Sequence, residues 1–219
     1  MHMYKQVVLR VLTVILWTWT PMAFATPYCD VPEVETLDAV VRVGDDRVEG
    51  SGVVVARNRV ITAAHVIEDM ARPVVTINGE HHLARLLSVL DGKDIALLEV
   101  DTNDQPPIRL QQGHLSVNDE VWAVGFPRGG DQLISAGQYE GLENGDLHTT
   151  ASVDHGQSGG GLISCVNGEH VLAGMITAFG AIDKGDHYER LDDYSISLPV
   201  IEIYWLLQAN TIESFDSGV

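Results

Sequence analysis

The sequence predicts an all-β protein built from two antiparallel six-stranded β-barrels and a short C-terminal helix. Short alternating or β-branched runs recur along the chain with turn residues between them, and glycine is abundant, at 21 of 219 residues. Long helical periodicities are rare, whereas parallel βαβ units would place amphipathic helices between the strands. A polar connection around Pro106 and Pro107 separates two sets of six runs. We predict strands at 37–43, 48–56, 59–62, 74–77, 83–90 and 95–100, then at 120–125, 132–140, 147–153, 160–165, 170–178 and 194–198.

The strand positions and the residues that follow them set the domain boundaries. After Pro199 the apolar residues recur at helical spacing, which predicts a C-terminal helix that caps one barrel. Beyond Asn210 the chain is polar. The prediction is an N-terminal segment at 26–34, a first barrel at about 35–108, a second barrel at about 115–198, a helix at about 199–208 and a polar tail at 209–219.

Residues 1–25 are typical of a secretory signal peptide. Lys5 and Arg10 give a positive start, residues 11–19 form a short apolar stretch, and Ala25 ends a small-x-small cleavage motif. The alternative, a membrane anchor, requires a longer apolar run of about 20 residues. We therefore expect the protein to be exported to the periplasm or the medium and to have no membrane attachment after cleavage.

Composition and charge exclude several classes of protein. An apolar content of 45% excludes wholesale disorder, and two cysteines are too few for a disulfide-rich miniature scaffold. The formal charge is −18, and it becomes −20 once residues 1–25 are removed. Nucleic acids and anionic lipids both require clustered Lys and Arg. We therefore expect no nucleic-acid partner and favour proteins or neutral ligands.

The two cysteines, Cys29 and Cys165, are candidates for a disulfide. In an oxidising compartment two thiols tend to pair, and this pair would tie the start of the mature chain to its body. The alternative is a buried Cys165 that acts as a small apolar residue, with a free Cys29 on a loose tail.

Three motifs are distinctive in both their residues and their order. Gly-Ser-Gly-Val-Val-Val at 50–55 leads to Val-Ile-Thr-Ala-Ala-His at 60–65, Asp-Ile-Ala-Leu-Leu-Glu-Val lies at 94–100, and Gly-Gln-Ser-Gly-Gly-Gly lies at 156–161. Together they resemble the catalytic motifs of trypsin-like serine proteases with the chymotrypsin fold, closest to the bacterial HtrA-like branch. The resemblance covers roughly residues 35–207 and implies a chymotrypsin-like pair of barrels.

The resemblance also implies a catalytic triad and an oxyanion hole. Ser158 is the expected nucleophile, His65 the base that takes and returns its proton, and Asp94 the acid that orients the imidazole. The backbone N–H groups of Gly156 and Ser158 are expected to form the oxyanion hole. The order of the motifs places His65 and Asp94 on the first barrel and Ser158 on the second, with the site in the cleft between them. Asp91 is interpreted as a turn residue.

Two other interpretations compete with a protease. The Gly-Gln-Ser-Gly-Gly motif also fits the nucleophile elbow of α/β-hydrolases, which would make the protein an esterase. That fold has the order Ser, acid, His and needs helices after the serine, whereas the 61 residues after Ser158 are mostly strand-like and offer only His170 and His187. The second alternative is a non-catalytic binding module with a protease fold, which would have no need of three matched residues.

The resemblance places an apolar specificity pocket beside the nucleophile. Ser152 takes the position at the base of the pocket, so no acid is available there to attract Lys or Arg. Val153 and Ile176 take the positions at which glutamate-specific relatives carry Thr and His, and HtrA-like enzymes usually carry Asn at the latter. Thr177 and Ala178 complete the expected substrate-binding set. We expect a preference for aliphatic or small apolar residues before the cut.

Activation is expected to need only removal of the signal peptide. Gln157 stands where zymogen-type relatives carry an aspartate that pairs with a newly cut amino terminus, and a neutral amide cannot form that ion pair. Asp154 is interpreted as a solvated loop charge. The short chain beyond the helix predicts no peptide-binding PDZ domain and hence a stand-alone endopeptidase for protein or peptide substrates. No metal or other cofactor is expected, and the oligomeric state is left open.

Overall fold

The computed structural model describes residues 28–45 and 48–216, with side chains described as far as Thr211. The predicted signal peptide at 1–25 and the last three residues of the predicted tail lie outside the described residues. Within the described part, strands predominate over helices. No helix in this part of the chain is long and apolar enough to cross a membrane.

The first half of the chain forms a curled, antiparallel seven-stranded sheet in the order β5-β4-β1-β2-β3-β7-β6. The sequence predicts six strands here, because it predicts none at residues 80–82 and places Leu83 in the run at 83–90. The structure divides this run at Ala84, which is buried and donates its backbone N–H to Pro73 O (2.8 Å). The chain turns there, so that one part pairs with β4 and the next with β7. The strands are β1 (Val40–Gly44), β2 (Glu49–Ala56), β3 (Arg59–Thr62), β4 (Val74–Ile77), β5 (Glu80–Leu83), β6 (Arg85–Val89) and β7 (Ala96–Glu99).

The second half forms a closed six-stranded barrel in the order β10-β13-β12-β11-β8-β9, as predicted. Two of its strands are longer than expected and continue outside the barrel as a hairpin. The first of these strands ends at Asp183 and the second begins at Tyr188. The strands are β8 (Glu120–Gly125), β9 (Leu133–Glu143), β10 (Asp146–Thr149), β11 (Gly161–Val166), β12 (Glu169–Asp183) and β13 (Tyr188–Pro199).

Short helices occupy the connections, and one longer helix follows the second barrel. The C-terminal helix continues to Asp216, whereas the sequence predicts its end near residue 208. Asn210 explains part of the difference, because its side-chain amide donates to Leu206 O (2.7 Å) and to Ser88 Oγ on β6 (2.6 Å). The helices are α1 (Val34–Asp38), α2 (Ala64–Ile67), a 3₁₀ turn (Pro127–Gly129) and α3 (Val200–Asp216).

The largest hydrophobic core draws on both halves of the molecule. It includes Val53 and Leu97 from the first sheet, Trp122 and Leu172 from the second barrel, and Ile203 from α3. All of these side chains are almost completely buried, so their burial supplies a large share of the folding free energy. The shared core holds the two halves against each other and keeps the cleft between them in one geometry.

A disulfide joins Cys29 to Cys165 on β11. The two Cα atoms lie 5.8 Å apart, within the range that a disulfide requires. The pairing predicted from the sequence is thus present in the structure, and it fixes the segment before α1 to the second barrel.

Candidate active site

His65 and Asp94 are brought together by the pairing of β3 with β7. Thr62 at the end of β3 pairs with Ala96 at the start of β7, so the residues just after β3 lie beside those just before β7. Asp94 Oδ2 lies 2.7 Å from His65 Nδ1, and Asp94 Oδ1 accepts the His65 backbone N–H at 3.0 Å. One carboxylate therefore fixes both the ring and the first turn of α2.

The contact shifts the pKa of both side chains. The hydrogen bond to Asp94 raises the pKa of His65 above its ordinary value, against the opposing effect of partial burial. For Asp94, burial raises the pKa, but the hydrogen bonds from the side chain and backbone of His65 outweigh it, and the pKa is lowered overall. Both shifts favour a charged imidazolium beside a charged carboxylate.

Ser158 lies in a tight turn between β10 and β11. Its hydroxyl donates to Thr177 O at 3.4 Å, a long contact, rather than to His65, whose side chain borders the same cavity. The turn requires glycine at Gly156, which has φ +91° and where a Cβ atom would lie 2.6 Å from Arg128 N. The nucleophile turn, residues 154–159, therefore packs directly against the 3₁₀ turn.

The backbone of the nucleophile turn presents free hydrogen-bond donors. Gly156 N–H and Ser158 N–H have no acceptor among the described residues, whereas the neighbouring Gln157 N–H donates to Asp154 O at 3.1 Å. An oxyanion hole requires two unpaired N–H groups beside the serine hydroxyl. Gly156 and Ser158, with Gln157 between them, offer two such groups.

A cavity of about 200 Å³ opens beside Ser158. Four of the five residues predicted to bind substrate border it, namely Val153, Ile176, Thr177 and Ala178. Ser152 is not among the bordering residues in the described part of the chain, although the next residue, Val153, is. The Ser152 side chain is partly buried instead. The remaining residues that border the cavity are His65, Asp154, His155, Ser158 and Phe179.

Asp154 corrects one sequence-based interpretation, because it is not a solvated loop charge. Its carboxylate forms ion pairs with Arg128 Nη2 (3.0 Å) and Arg190 Nη1 (2.8 Å), and its side chain is only 22% exposed. Burial raises the pKa of Asp154, but the His155 N–H and the two arginines lower it further than burial raises it. The nucleophile turn is thereby tied to the 3₁₀ turn and to β13.

His155 and Phe179 are two further residues of this site that the sequence did not reveal. Their rings meet edge to face with centroids 4.9 Å apart, and the Arg190 guanidinium lies 5.6 Å from the Phe179 ring centroid. An exposed histidine and an aromatic residue at the end of a buried run carry no motif, so only the folded hairpin brings them together. Among the described residues, no group of three or more His, Cys, Asp or Glu side chains could hold a metal ion.

A family model described as a trypsin-like peptidase domain matches residues 50–175, more than half of the chain. The chain belongs to the trypsin-like peptidase family. Its curated relatives include the periplasmic pH-dependent serine endoprotease DegQ of Escherichia coli. The two are 36% identical over an alignment of 155 residues, which covers 62% of this chain and 32% of DegQ. The serine endoprotease DegS of Escherichia coli is 30% identical over 167 residues, 70% of this chain and 45% of DegS. The resemblance to HtrA-like proteases is thus confirmed as homology.

Solved structures give the same result for the fold. The serine endoprotease from Yersinia pestis matches this trypsin-like chain with a TM-score of 0.70 and 24% sequence identity, over 83% of this chain and 68% of that one. The predicted all-β, chymotrypsin-like fold with a C-terminal helix is therefore confirmed, although only the second half closes into a six-stranded barrel and the first half is a curled seven-stranded sheet. The chain spans about a quarter to a third of the length of the first curated relatives that it matches.

Proposed function

We propose that this protein is an exported serine endopeptidase that hydrolyses peptide bonds through an acyl-enzyme. The observation that carries the proposal is the hydrogen bond between His65 and Asp94, because His65 borders the same cavity as Ser158. Homology to serine endoproteases supports the same chemistry. Export is supported by relatives that are named periplasmic and by the signal-like residues 1–25.

The proposed reaction uses each group in turn. His65 Nε2 takes the hydroxyl proton of Ser158 as Oγ attacks the carbonyl carbon of the peptide bond. The negative charge that develops on the carbonyl oxygen is stabilised by the N–H groups of Gly156 and Ser158. His65 then gives the proton to the leaving amine, and water, activated by the same imidazole, releases the acyl group. Asp94 keeps the imidazole in the required orientation and stabilises its charged form.

The test of this proposal is hydrolysis of an unfolded protein substrate by the secreted chain and by its Ser158→Ala variant. We expect the variant to lose activity by a factor on the order of 10⁶, because no other side chain replaces the nucleophile. An inactive wild-type protein would favour the alternative, a binding module with a protease fold. Equal activity of the two proteins would refute Ser158 as the nucleophile.

Substrate preference follows from the side chains that border the cavity. Val153 and Ile176 are apolar and almost completely buried. The nearby carboxylate of Asp154 is already paired with Arg128 and Arg190, so it is not free to attract a basic side chain. We therefore propose that the pocket accepts aliphatic or small apolar residues.

We therefore expect kcat/KM to be about tenfold or more higher for peptides cut after Val, Ile, Ala or Leu than for matched peptides cut after Arg or Glu. The reason is that a charged side chain would lose its hydration in this pocket. A set of peptides that differ only at the residue before the cut measures this preference. A profile led by Lys, Arg or Glu would show that the pocket residues are wrongly assigned.

A further inference from the structure

Ser51 on β2 connects the first sheet to the nucleophile turn, and its side chain is fully buried. Its backbone N–H donates to Ser158 O at 2.8 Å. Its hydroxyl donates to Gly156 O at 2.8 Å, and the same oxygen accepts the Phe126 backbone N–H at 2.9 Å. A single residue of the first sheet therefore contacts the second barrel at two carbonyl groups and one amide.

These contacts fix the peptide units on both sides of Gly156. His155 O accepts the Arg128 backbone N–H at 2.7 Å, and Gly156 O accepts the hydroxyl of Ser51. The N–H and C=O of a trans peptide point in opposite directions. Because the carbonyl of the first unit faces Arg128, the Gly156 N–H faces away from the 3₁₀ turn, and it is the donor left without an acceptor in the described residues.

We propose that Ser51 is a positioning residue for the oxyanion hole. Gly156 has no side chain to resist rotation of its two peptide units, so their orientation depends on the hydrogen bonds they make. The Ser51 hydroxyl holds the Phe126 backbone N–H and the Gly156 carbonyl side by side. Because Phe126 leads into the 3₁₀ turn, this contact positions the Arg128 N–H that donates to His155 O. This role rests on the proposed function, because it concerns the oxyanion hole of that same site.

Without the hydroxyl, two partly buried polar groups lose their partner at once. Phe126 N–H and Gly156 O each need a hydrogen bond when buried. The 3₁₀ turn and the nucleophile turn then lose one of the contacts that align them, and the peptide that carries the Gly156 N–H is held only from the Arg128 side. The substrate pocket, bordered by Val153 and Ile176, does not include Ser51. The expected defect is therefore in stabilisation of the transition state and not in substrate binding.

The Ser51→Ala variant tests this role. We expect kcat to fall by about 10- to 100-fold while KM changes by less than about twofold, since loss of one oxyanion donor costs about 10²- to 10³-fold in a well-formed site. A peptide aldehyde forms a hemiacetal whose oxygen occupies the oxyanion hole. Its inhibition constant is expected to rise by the same factor by which kcat/KM falls.

Thr62→Val is the matched control. Thr62 is also fully buried, and its hydroxyl donates to the carbonyl of Ser51 at 2.7 Å, so this variant removes a buried hydrogen bond at the same residue but keeps the Ser51 hydroxyl. We expect kcat and the aldehyde inhibition constant to stay within about threefold of wild type. Equal loss of kcat in both variants would overturn the positioning role in favour of a purely structural one.

Ser51→Cys carries the test if the alanine variant does not fold. The thiol fills the same space but is a weak donor and acceptor, so the same loss of kcat is expected. Wild-type kcat and aldehyde affinity in a folded Ser51→Ala or Ser51→Cys variant would overturn the role of Ser51 and leave the proposed function intact. A wild-type protein that neither cleaves substrate nor reacts at Ser158 would refute the proposed function, and the role of Ser51 with it.

Discussion

The hydrogen bond between His65 and Asp94 sets the pH at which activity is expected to appear. The pKa of His65 is raised mainly by this hydrogen bond, and only the neutral imidazole can take the proton of Ser158. We therefore expect kcat/KM to rise with pH along a titration whose midpoint lies above the ordinary histidine value of about 6.5. Asp94→Asn is expected to lower the midpoint and to reduce kcat by about 10³- to 10⁴-fold. The pH–rate profiles of both proteins measure this.

Asp91→Asn is the control for that experiment, because Asp91 lies three residues before Asp94 in the same turn, is exposed, and the carboxylate that His65 contacts is that of Asp94. Its profile is expected to match that of the wild-type protein. A midpoint that moved in the Asp91 variant and not in the Asp94 variant would contradict the assignment of the acid.

The same pKa shifts predict opposite trends for stability and activity. Because the pKa of His65 is raised by folding, its contribution to stability is complete below the unfolded pKa and is lost as the pH rises through the folded pKa. Because the pKa of Asp94 is lowered, its contribution is lost as the pH falls through that lowered value. The pair therefore stabilises the fold most when His65 is protonated, which is the form that cannot act as a base.

The ion pairs of Asp154 could not be predicted from the sequence. Its partners, Arg128 and Arg190, lie in the 3₁₀ turn and in β13, and no local spacing links either to the nucleophile turn. The three residues of the proposed triad could be named from the sequence because three motifs carry them in a fixed order. The ion pairs around it depend on where the loops of the second barrel meet.

At the scale of elements, α3 contacts the turn that carries Asp94, the proposed catalytic acid. Glu202 in the first turn of α3 is buried, and its carboxylate lies 3.0 Å from the ammonium of Lys93, the residue before Asp94. The hydrogen bond to Glu202 raises the pKa of Lys93. This pair is the direct polar link between the C-terminal helix and the Asp94 turn.

Lys93→Met is expected to lower the free energy of unfolding by about 1–2 kcal/mol, because it leaves the buried carboxylate of Glu202 without its partner while the lysine itself is partly exposed. The double variant Lys93→Met, Glu202→Leu is expected to recover part of the loss, since no buried charge remains. Urea unfolding of the single and double variants measures the coupling. Stability of Lys93→Met equal to that of wild type would contradict the link.

Element boundaries were predictable where one face of a strand is buried, and less so elsewhere. The strand at Val74–Ile77 lies where the sequence predicts it. The sequence predicts no strand between residues 178 and 194, because the hairpin of β12 and β13 there projects from the barrel, is mostly exposed and lacks a continuous apolar face. The strand at Glu80–Leu83 was missed for a related reason, since it is mostly exposed and its Glu and two His side chains give no apolar alternation.

At the scale of the whole molecule, the disulfide closes a segment of 136 residues. In the chain-entropy model such a crosslink stabilises by up to about 4–5 kcal/mol, and measured values are often smaller. We expect the paired variant Cys29→Ser, Cys165→Ser to lose about 2–4 kcal/mol of unfolding free energy relative to the oxidised protein. Intact-mass analysis after alkylation without reductant checks the bridge itself. No blocked thiol on a monomeric chain would support it, and two blocked thiols per chain would refute it.

The position of the cleft between the two halves was predictable, but the hydrogen bonds that cross it were not. The order of His65, Asp94 and Ser158 along the chain assigns two groups to one barrel and one to the other, which requires a site between them. The hydrogen bonds of Ser51 cross the same interface, and they depend on side-chain packing between residues more than 70 positions apart. Tertiary contacts of this kind have no local pattern to predict them.

The most direct test of the central claim is covalent labelling of the folded protein with a fluorophosphonate, followed by peptide mass mapping. A serine activated by His65 reacts with this reagent, whereas an ordinary serine hydroxyl does not. We expect one adduct per chain, located on Ser158, and none on the Ser158→Ala variant. An unlabelled wild-type protein, or equal labelling of the variant, would contradict the account of this molecule as a serine endopeptidase.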